Sequence, residues 1–254
     1  MNDWIDYGLI LQARLGSSRL PGKVLMNIDG QEMLYRQIDR LQNGISSSIP
    51  IIIATSDHSS DDLIEAFCDK HGIKIFRGPL DDVMQRFILC ATKFNIKNIL
   101  RVGGDDPLID PEVINTLIRR HKEQQDDFIF ATHREGWPYG CAAELISLSS
   151  LKKIHPKTKD DLQREHTIPY FFENTTEFNI TKLNSDRGMN RPDYFFSVDY
   201  KEDFELVSKI FKIFKDKGNY FSHKEFIEMV DDNTEMLSIN KHLHEGFDPR
   251  FDLK

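Results

Sequence analysis

From Gly8 to Thr132 the chain alternates short apolar runs with stretches of helical spacing. Gly8–Ala13 (GLILQA) reads as a buried strand, and after a polar loop Glu32–Leu41 sets Leu34, Ile38 and Leu41 on one helical face. Ile51–Thr55 reads as the next strand. Ser59 and Asp62 have capping-box spacing. Leu63, Ile64 and Phe67 supply the buried stripe of the helix behind them, and Gly72 stops it. Lys74–Phe76 is a short strand. Val83, Phe87, Cys90 and Phe94 form another helical stripe, Asn98–Val102 is a strand, and Asp110-Pro111-Glu112 opens a helix carrying Val113, Ile114, Leu117 and Ile118. Phe128–Thr132 closes the series.

Strands and helices alternating at these lengths predict an α/β fold: a mostly parallel central sheet with helices on both faces. Ligands of such sheets sit at the carboxyl ends of the strands, so the loops after Ala13, Thr55, Phe76, Val102 and Thr132 carry the chemistry. Beyond Thr132 the order changes. A loop rich in Gly and aromatics, Gly136–Gly140, leads to predicted strands at Ala142–Ser147, Asn179–Asn184 and Tyr194–Val198. Lys201–Lys217 predicts a helix, with Glu202 and Asp203 as first-turn acids and Phe204, Val207, Ile210, Phe211 and Phe214 as its stripe. Ser222 and Glu225 form a capping box for a last helix. There is no internal repeat and no Gly/Ser linker, which favours one domain, 1–254, with an elaborated second half. A split near residue 133 is the alternative.

Composition narrows the function. The 254 residues include 33 Lys+Arg against 41 Asp+Glu, a net charge of −8, whereas a nucleic-acid or anionic-membrane binder carries a basic excess. Cys68, Cys90 and Cys141 show no CxxC spacing and are expected as reduced, buried thiols rather than a disulfide framework or zinc site. No apolar run approaches the ~20 residues of a membrane helix. The first seven residues carry Asp3 and Asp6 without Lys or Arg, unlike a signal peptide. The expected location is the cytoplasm.

Against this acidic background the first loop, Gln12-Ala-Arg-Leu-Gly-Ser-Ser-Arg-Leu-Pro-Gly-Lys23, concentrates Arg14, Arg19 and Lys23. A cationic loop with Gly and Ser after the first strand is what a polyphosphate requires: backbone N–H groups to cradle it and charges to neutralise it. The competing reading is a solvated basic loop punctuated by Gly and Pro. It is not a Walker A loop, because five residues separate Gly16 from Gly22 and Val24 stands where Ser or Thr would be. No GxGxxG is present. The second signal, Gly103-Gly104-Asp105-Asp106-Pro107, offers a strand-end carboxylate suited to a hard cation, or else an ordinary Gly-Asp turn. The third is Asp199 in Phe195-Phe-Ser-Val-Asp199, which either reaches the same cation or caps the helix that follows.

QARLGSSRLPGKVL, GDDPLIDPEVI and SVDYKEDF, in that order and separation, resemble the cytidylyltransferases of bacterial surface-glycan synthesis. The likeness is greatest to the spore-coat polysaccharide branch, related to the 3-deoxy-manno-octulosonate and acylneuraminate cytidylyltransferases. It runs from about Tyr7 to Asn240. The resemblance implies a Rossmann-like fold of the nucleotide-diphospho-sugar transferase type, with a nucleotide-binding half over about 7–132 and an acceptor-binding half over about 133–254. It implies CTP bound by Gln12, Ala13, Arg14, Gly16, Ser17, Ser18, Arg19, Lys23, Thr55, Ser56, Arg77 and Gly104, and Mg²⁺ held by Asp105 and Asp199. Arg14, Lys23 and Asp105 take the catalytic roles. Two departures stand out. Tyr200 replaces the family's usual Thr after the metal Asp, and Gly140-Cys-Ala-Ala-Glu144 replaces the branch's G-L-D-V-E, losing an acid at Ala142. The second leaves the acceptor open.

The implied reaction is attack of an acceptor oxygen on the α-phosphorus of CTP with loss of pyrophosphate, catalysed by positioning and charge neutralisation. Arg134, Arg164, His166, Arg187 and Arg191 make the second half locally basic, as a small acidic acceptor would demand, although each Arg taken singly reads more readily as a surface or structural residue. Tyr139, Glu144, Arg164 and His166 are the acceptor-binding candidates, and Trp137 and Tyr139 form either a sugar-stacking wall or core. A phosphonate or polyol phosphate acceptor would keep all three motifs. A non-catalytic nucleotide-binding module would need neither Asp105 nor Asp199. The family often forms homodimers, and no stripe in this sequence establishes one.

Overall fold

The computed structural model describes residues 3–158, 163–164, 169–186, 188–217 and 220–245. At its centre lies strand β1 (Ile5–Gln12), in which Leu9, Ile10 and Leu11 are all fully buried, because a central strand covered on both faces has no polar side. The chain continues through a two-residue hairpin, β2 (Asn27–Ile28) and β3 (Gln31–Glu32), to α1 (Met33–Gly44), β4 (Ile51–Ser56), α2 (Asp62–His71), β5 (Lys74–Gly78), α3 (Val83–Lys93), β6 (Ile96–Gly103) and α4 (Pro111–Gln124). The second half supplies β7 (Phe128–Phe130), β8 (Glu144–Ser147), α5 (Leu148–Ile154), α6 (Pro169–Glu173), β9 (Ile180–Lys182), α7 (Lys201–Ile213) and α8 (His223–Asp232).

Seven strands form one sheet in the order β5-β4-β1-β6-β8-β7-β9. β5, β4, β1 and β6 run parallel, β8 runs antiparallel to both β6 and β7, and β9 returns parallel to β7. The carboxyl ends of the four parallel strands and the start of β8 therefore share one edge of the sheet. Alternation along β1 divides the interior: Leu9 and Leu11 pack with α1, α2, α4, α7 and α8, while Ile10 packs with α3 and α5. Among the described residues no helix is long and apolar enough to cross a membrane. Cys68, Cys90 and Cys141 are buried and unpaired; burial pushes the Cys68 and Cys90 thiols up to about 12.

Several local expectations change. Leu63 is 65% exposed, and the buried stripe of α2 is instead Ile64, Phe67 and Cys68. Ser59 caps nothing: Ser59–Asp61 is a 3₁₀ turn whose cap is His58, accepting from the N–H of Ser60. Asn179–Asn184 contributes only Ile180–Lys182, and Tyr194–Val198 is no strand beyond a single bridge between Tyr139 and Phe195. Its backbone partners are two separate loops: Phe196 N–H donates to Tyr139 and Val198 N–H to Asp105, both at 2.8 Å. The helix after Lys201 turns into a 3₁₀ segment, Lys215–Lys217.

Gly140 permits the first of those contacts. It sits at φ +84°, and a Cβ there would lie 2.3 Å from the Ser197 nitrogen. A Gly140→Ala variant is expected to lose about 2 kcal/mol or more through left-handed strain and the backbone clash. At roughly 2–4 °C per kcal/mol, thermal unfolding should show a midpoint lower by at least about 4 °C.

Candidate active site

The loop after β1 folds on one carbonyl. Leu15 O accepts from the N–H groups of Ser17 at 2.9 Å and Gly22 at 3.0 Å, with Gly22 at φ +73°. Leu15 N–H in turn donates to Asp61 Oδ1 at 2.8 Å, and the other oxygen of Asp61 accepts from the Ser56 hydroxyl. Asp61, 1% exposed, thus ties the first loop to the end of β4. Gly16, Ser18 and Arg19 are exposed, and among the described residues their N–H groups donate to no group of the chain. An exposed turn with undirected N–H donors and flanking cations suits an oligophosphate. A 3₁₀ turn, Lys23–Leu25, then carries Lys23 inward until only 6% of it is exposed.

The opposing wall is the loop after β6. Gly104 N–H donates to Gln12 O at 2.7 Å, and a Cβ on Gly104 would stand 2.8 Å from that oxygen. The fully buried Gln37 of α1 donates to the carbonyls of Gly103 and Asp106 at 2.6 and 2.9 Å. Asp105 O accepts from Val198, which brings the next residue, Asp199, alongside across 94 positions of sequence. The Lys23 ammonium donates to Asp105 Oδ2 and to Asp199 Oδ1, both at 2.8 Å. Arg19 Nη2 lies 3.2 Å from Asp199 Oδ2, its guanidinium 5.2 Å from the centre of the Tyr200 ring.

These charges set one another. Burial pulls the Lys23 pKa down, but Asp105 and Asp199 outweigh it and hold it above the ordinary lysine value, so the ammonium stays charged. Loss of solvation, reinforced by Asp105, pushes the Asp106 carboxyl up to about 8 despite the Ser197 hydrogen bond and Lys23. Tyr139 is raised by burial and by the neighbouring carboxylates of Asp106, Asp199 and Asp105.

The donor set fits a hard divalent cation. Two carboxylates converge on one point already matched to positive charge, and among the described residues no group of three or more His, Cys, Asp or Glu forms a metal cage. Mg²⁺ binds in this way, through one or two carboxylates completed by substrate phosphates and water.

The remaining sequence-derived candidates divide. Arg14 is exposed on the first loop, and its charge acts on the buried Arg86 of α3. Gln12 and Ala13 end β1 beside Gly104. Ser17 Oγ accepts from Leu20 N–H. Thr55 and Ser56 are fully buried, so their side chains present no surface to a ligand. The Arg77 guanidinium is held by Asp62, Glu65 and the carbonyls of Ser56 and His58. Glu144 pairs with Arg101 at 2.8 Å, and Arg164 lies 3.9 Å from Asp82; neither contacts Lys23, Asp105 or Asp199. Tyr139 stacks on Phe195 at 4.1 Å, while Trp137 is core, donating to Leu183 O at 2.7 Å. Arg191 is bound to Asp231. His166 and Arg187 lie outside the described residues.

Three buried side chains that hold these loops escape the sequence reading: Asp61, Gln37 and Asp203. Asp203 is wholly buried and accepts from the N–H groups of Asp199 at 3.0 Å and Tyr200 at 2.8 Å. Its spacing is that of a first-turn helix acid, and its place in the SVDYKEDF motif is the one sequence signal that sets it apart before its burial does.

Residues 9–242 match the cytidylyltransferase family model. The spore coat polysaccharide biosynthesis protein SpsF of Bacillus subtilis is 30% identical over 216 residues, covering 84% of this chain and 88% of its own. Among solved structures, a cytidylyltransferase from Leptospira borgpetersenii aligns with a TM-score of 0.85 at 28% identity over 92% of this chain and 97% of its own. The CMP:2-keto-3-deoxy-manno-octonic acid synthetase complexed with CTP shares the fold, at TM-score 0.62 and 16% identity over 82% and 99% of the two chains.

The shared cation generates a prediction. In Lys23→Met the two carboxylates lose their common partner, and because both retain some solvent the expected cost is about 1–3 kcal/mol, below that of a fully buried pair. Millimolar Mg²⁺ should raise the thermal midpoint of this variant more than that of the native protein. An equal response would mean that the carboxylates do not share a cation site.

Proposed function

This chain belongs to the cytidylyltransferase family, and from that premise we propose that it transfers CMP from CTP to a small acidic sugar or related acid, releasing pyrophosphate, in surface-glycan synthesis. The observation that carries the reading is the convergence of Lys23 on Asp105 and Asp199 at the mouth of β1, beside a loop with undirected N–H donors. The first loop binds the triphosphate through the backbone of Gly16, Ser18 and Arg19 and the charges of Arg14, Arg19 and Lys23. Asp105 and Asp199 hold Mg²⁺, which when bound neutralises phosphate charge and polarises the α-phosphoryl group.

The acceptor oxygen forms a bond to the α-phosphorus as the bond to the bridging oxygen of the β-phosphate breaks. Pyrophosphate leaves with that electron pair, and the acceptor proton passes to solvent. Lys23, brought to the phosphates from between the two carboxylates, stabilises the charge that develops. Positioning supplies the rest: Asp61 holds the loop and Gln37 holds the opposing turn. The acid group of the acceptor meets Arg134, which lies on the same loop as Tyr139 and, unlike Arg164 and Arg191, has no carboxylate partner among the described residues.

Pyrophosphate release measured over a panel of nucleoside triphosphates and acidic sugars, phosphates and phosphonates tests this directly. Turnover is expected with CTP and an acidic sugar. Asp105→Asn should lower it at least about 100-fold while far-ultraviolet circular dichroism and the thermal midpoint stay near native. Undiminished turnover in that variant would remove Asp105 from the mechanism.

A further inference from the structure

The last described segment, Asn240–His244, lies against the back of the site although it is 41 residues downstream of Asp199 at its nearer end. The contact is made through Asp203. One oxygen of this wholly buried carboxylate accepts from the N–H groups of Asp199 and Tyr200. The other accepts from Asn240 Nδ2 and His244 Nε2, both at 2.8 Å. A carboxylate only accepts, so His244 Nε2 carries the proton. Four donors fill its four lone-pair positions, and the two halves of the carboxylate face two different parts of the chain.

Two further contacts fix the segment. Asn240, 2% exposed, also donates to Phe195 O at 2.8 Å. The His244 ring stacks on Phe195 with centroids 3.5 Å apart, and Tyr139 stacks with Phe195 at 4.1 Å. The stretch from Phe195 to Tyr200 carries Asp199 but has no strand neighbour beyond one bridge, so beyond the backbone bonds of Phe196 to Tyr139 and Val198 to Asp105 its position rests on these side chains.

We propose that Asn240 and His244 are positioning residues: acting through Asp203, they orient Asp199, so that the tightness of divalent-cation binding is set from the C-terminal segment. The inference rests on the proposed role of Asp199. Neither residue touches phosphate or cation. Their effect is to stop the Asp199 backbone from rotating its carboxylate away from Asp105. Loss of one such outer partner of a metal ligand typically weakens metal affinity 10–100-fold.

The test uses the full chain and Mn²⁺ titrated calorimetrically in the presence of CTP, beside the Mg²⁺ dependence of pyrophosphate release. His244→Ala is expected to weaken Mn²⁺ binding and raise the Mg²⁺ half-saturation point about tenfold, with the KM for CTP at saturating Mg²⁺ unchanged. His244→Gln, which keeps an N–H donor, should recover most of the loss. Asp203→Asn keeps an acceptor for the Asp199 and Tyr200 N–H groups but turns a donor toward Asn240 and His244, and should reproduce the His244→Ala phenotype if that variant proves unstable. Native Mn²⁺ affinity in folded His244→Ala and Asp203→Asn, with binding lost in Asp199→Asn, overturns the positioning role alone. If Asp199→Asn binds Mn²⁺ as the native protein does, the metal role of Asp199 falls and this inference with it.

Discussion

One ammonium between two carboxylates joins the loop after β1, the loop after β6 and the segment before α7. Both contacts to Lys23 Nζ are 2.8 Å, so the bound oxygens of Asp105 and Asp199 lie within about 5.6 Å of each other. Their repulsion at that separation is about 3 kcal/mol for an effective dielectric of about 20. The single Val198–Asp105 backbone bond that joins the two segments is worth roughly 1 kcal/mol, too little to hold them against it. The cation therefore decides the balance. A third charge would tip it back, and loss of solvation together with Asp105 raises the Asp106 pKa, which disfavours that charge.

The supports around this centre follow one rule. Asp61, Gln37 and Asp203 are each buried polar side chains that bind two chain segments at once. Asp61 joins the first loop to β4, Gln37 joins α1 to both sides of Asp105, and Asp203 joins the Asp199 segment to the C-terminal one. A buried carboxylate stabilises only when both of its oxygens are hydrogen-bonded, and for Asp61 and Asp203 the donors come from the loops that must stay in place. Loop order at the sheet edge thus follows from the burial requirement itself.

The framework was legible in the sequence because it rests on periodicity. The β1 run, the parallel series and the order of the three chemical motifs depend on apolar spacing and strand ends, which one-dimensional patterns report. What stayed hidden depends on partners. Leu63 and Ile64 are equally apolar, and only the direction of α2 decides that Leu63 faces solvent. Tyr194–Val198 has the composition of a strand, yet its hydrogen bonds go to loops around Tyr139 and Asp105. Asp203 has the spacing of an ordinary helix-start acid, and its second role depends on residues about forty positions downstream. Thr55 and Ser56 sit where a ligand-facing strand end is expected but turn inward.

Charge counting along the second half had a further blind spot. Arginines that make a segment basic by composition need not make it basic in potential, because each one bound to a carboxylate contributes a dipole rather than a net charge. Arg191 is matched by Asp231, and Arg164 lies against Asp82. On the function proposed above, selection of an acidic acceptor would then fall to few cations, Arg134 on the loop with Tyr139 first among them. Of the first-loop charges, Lys23 is shared by Asp105 and Asp199 and Arg19 lies against Asp199, so a divalent ion taking over the carboxylates would free both for phosphates. On that reading Lys23 would couple nucleotide binding to metal binding, and the acceptor would be met by the separate loop that carries Arg134 and Tyr139.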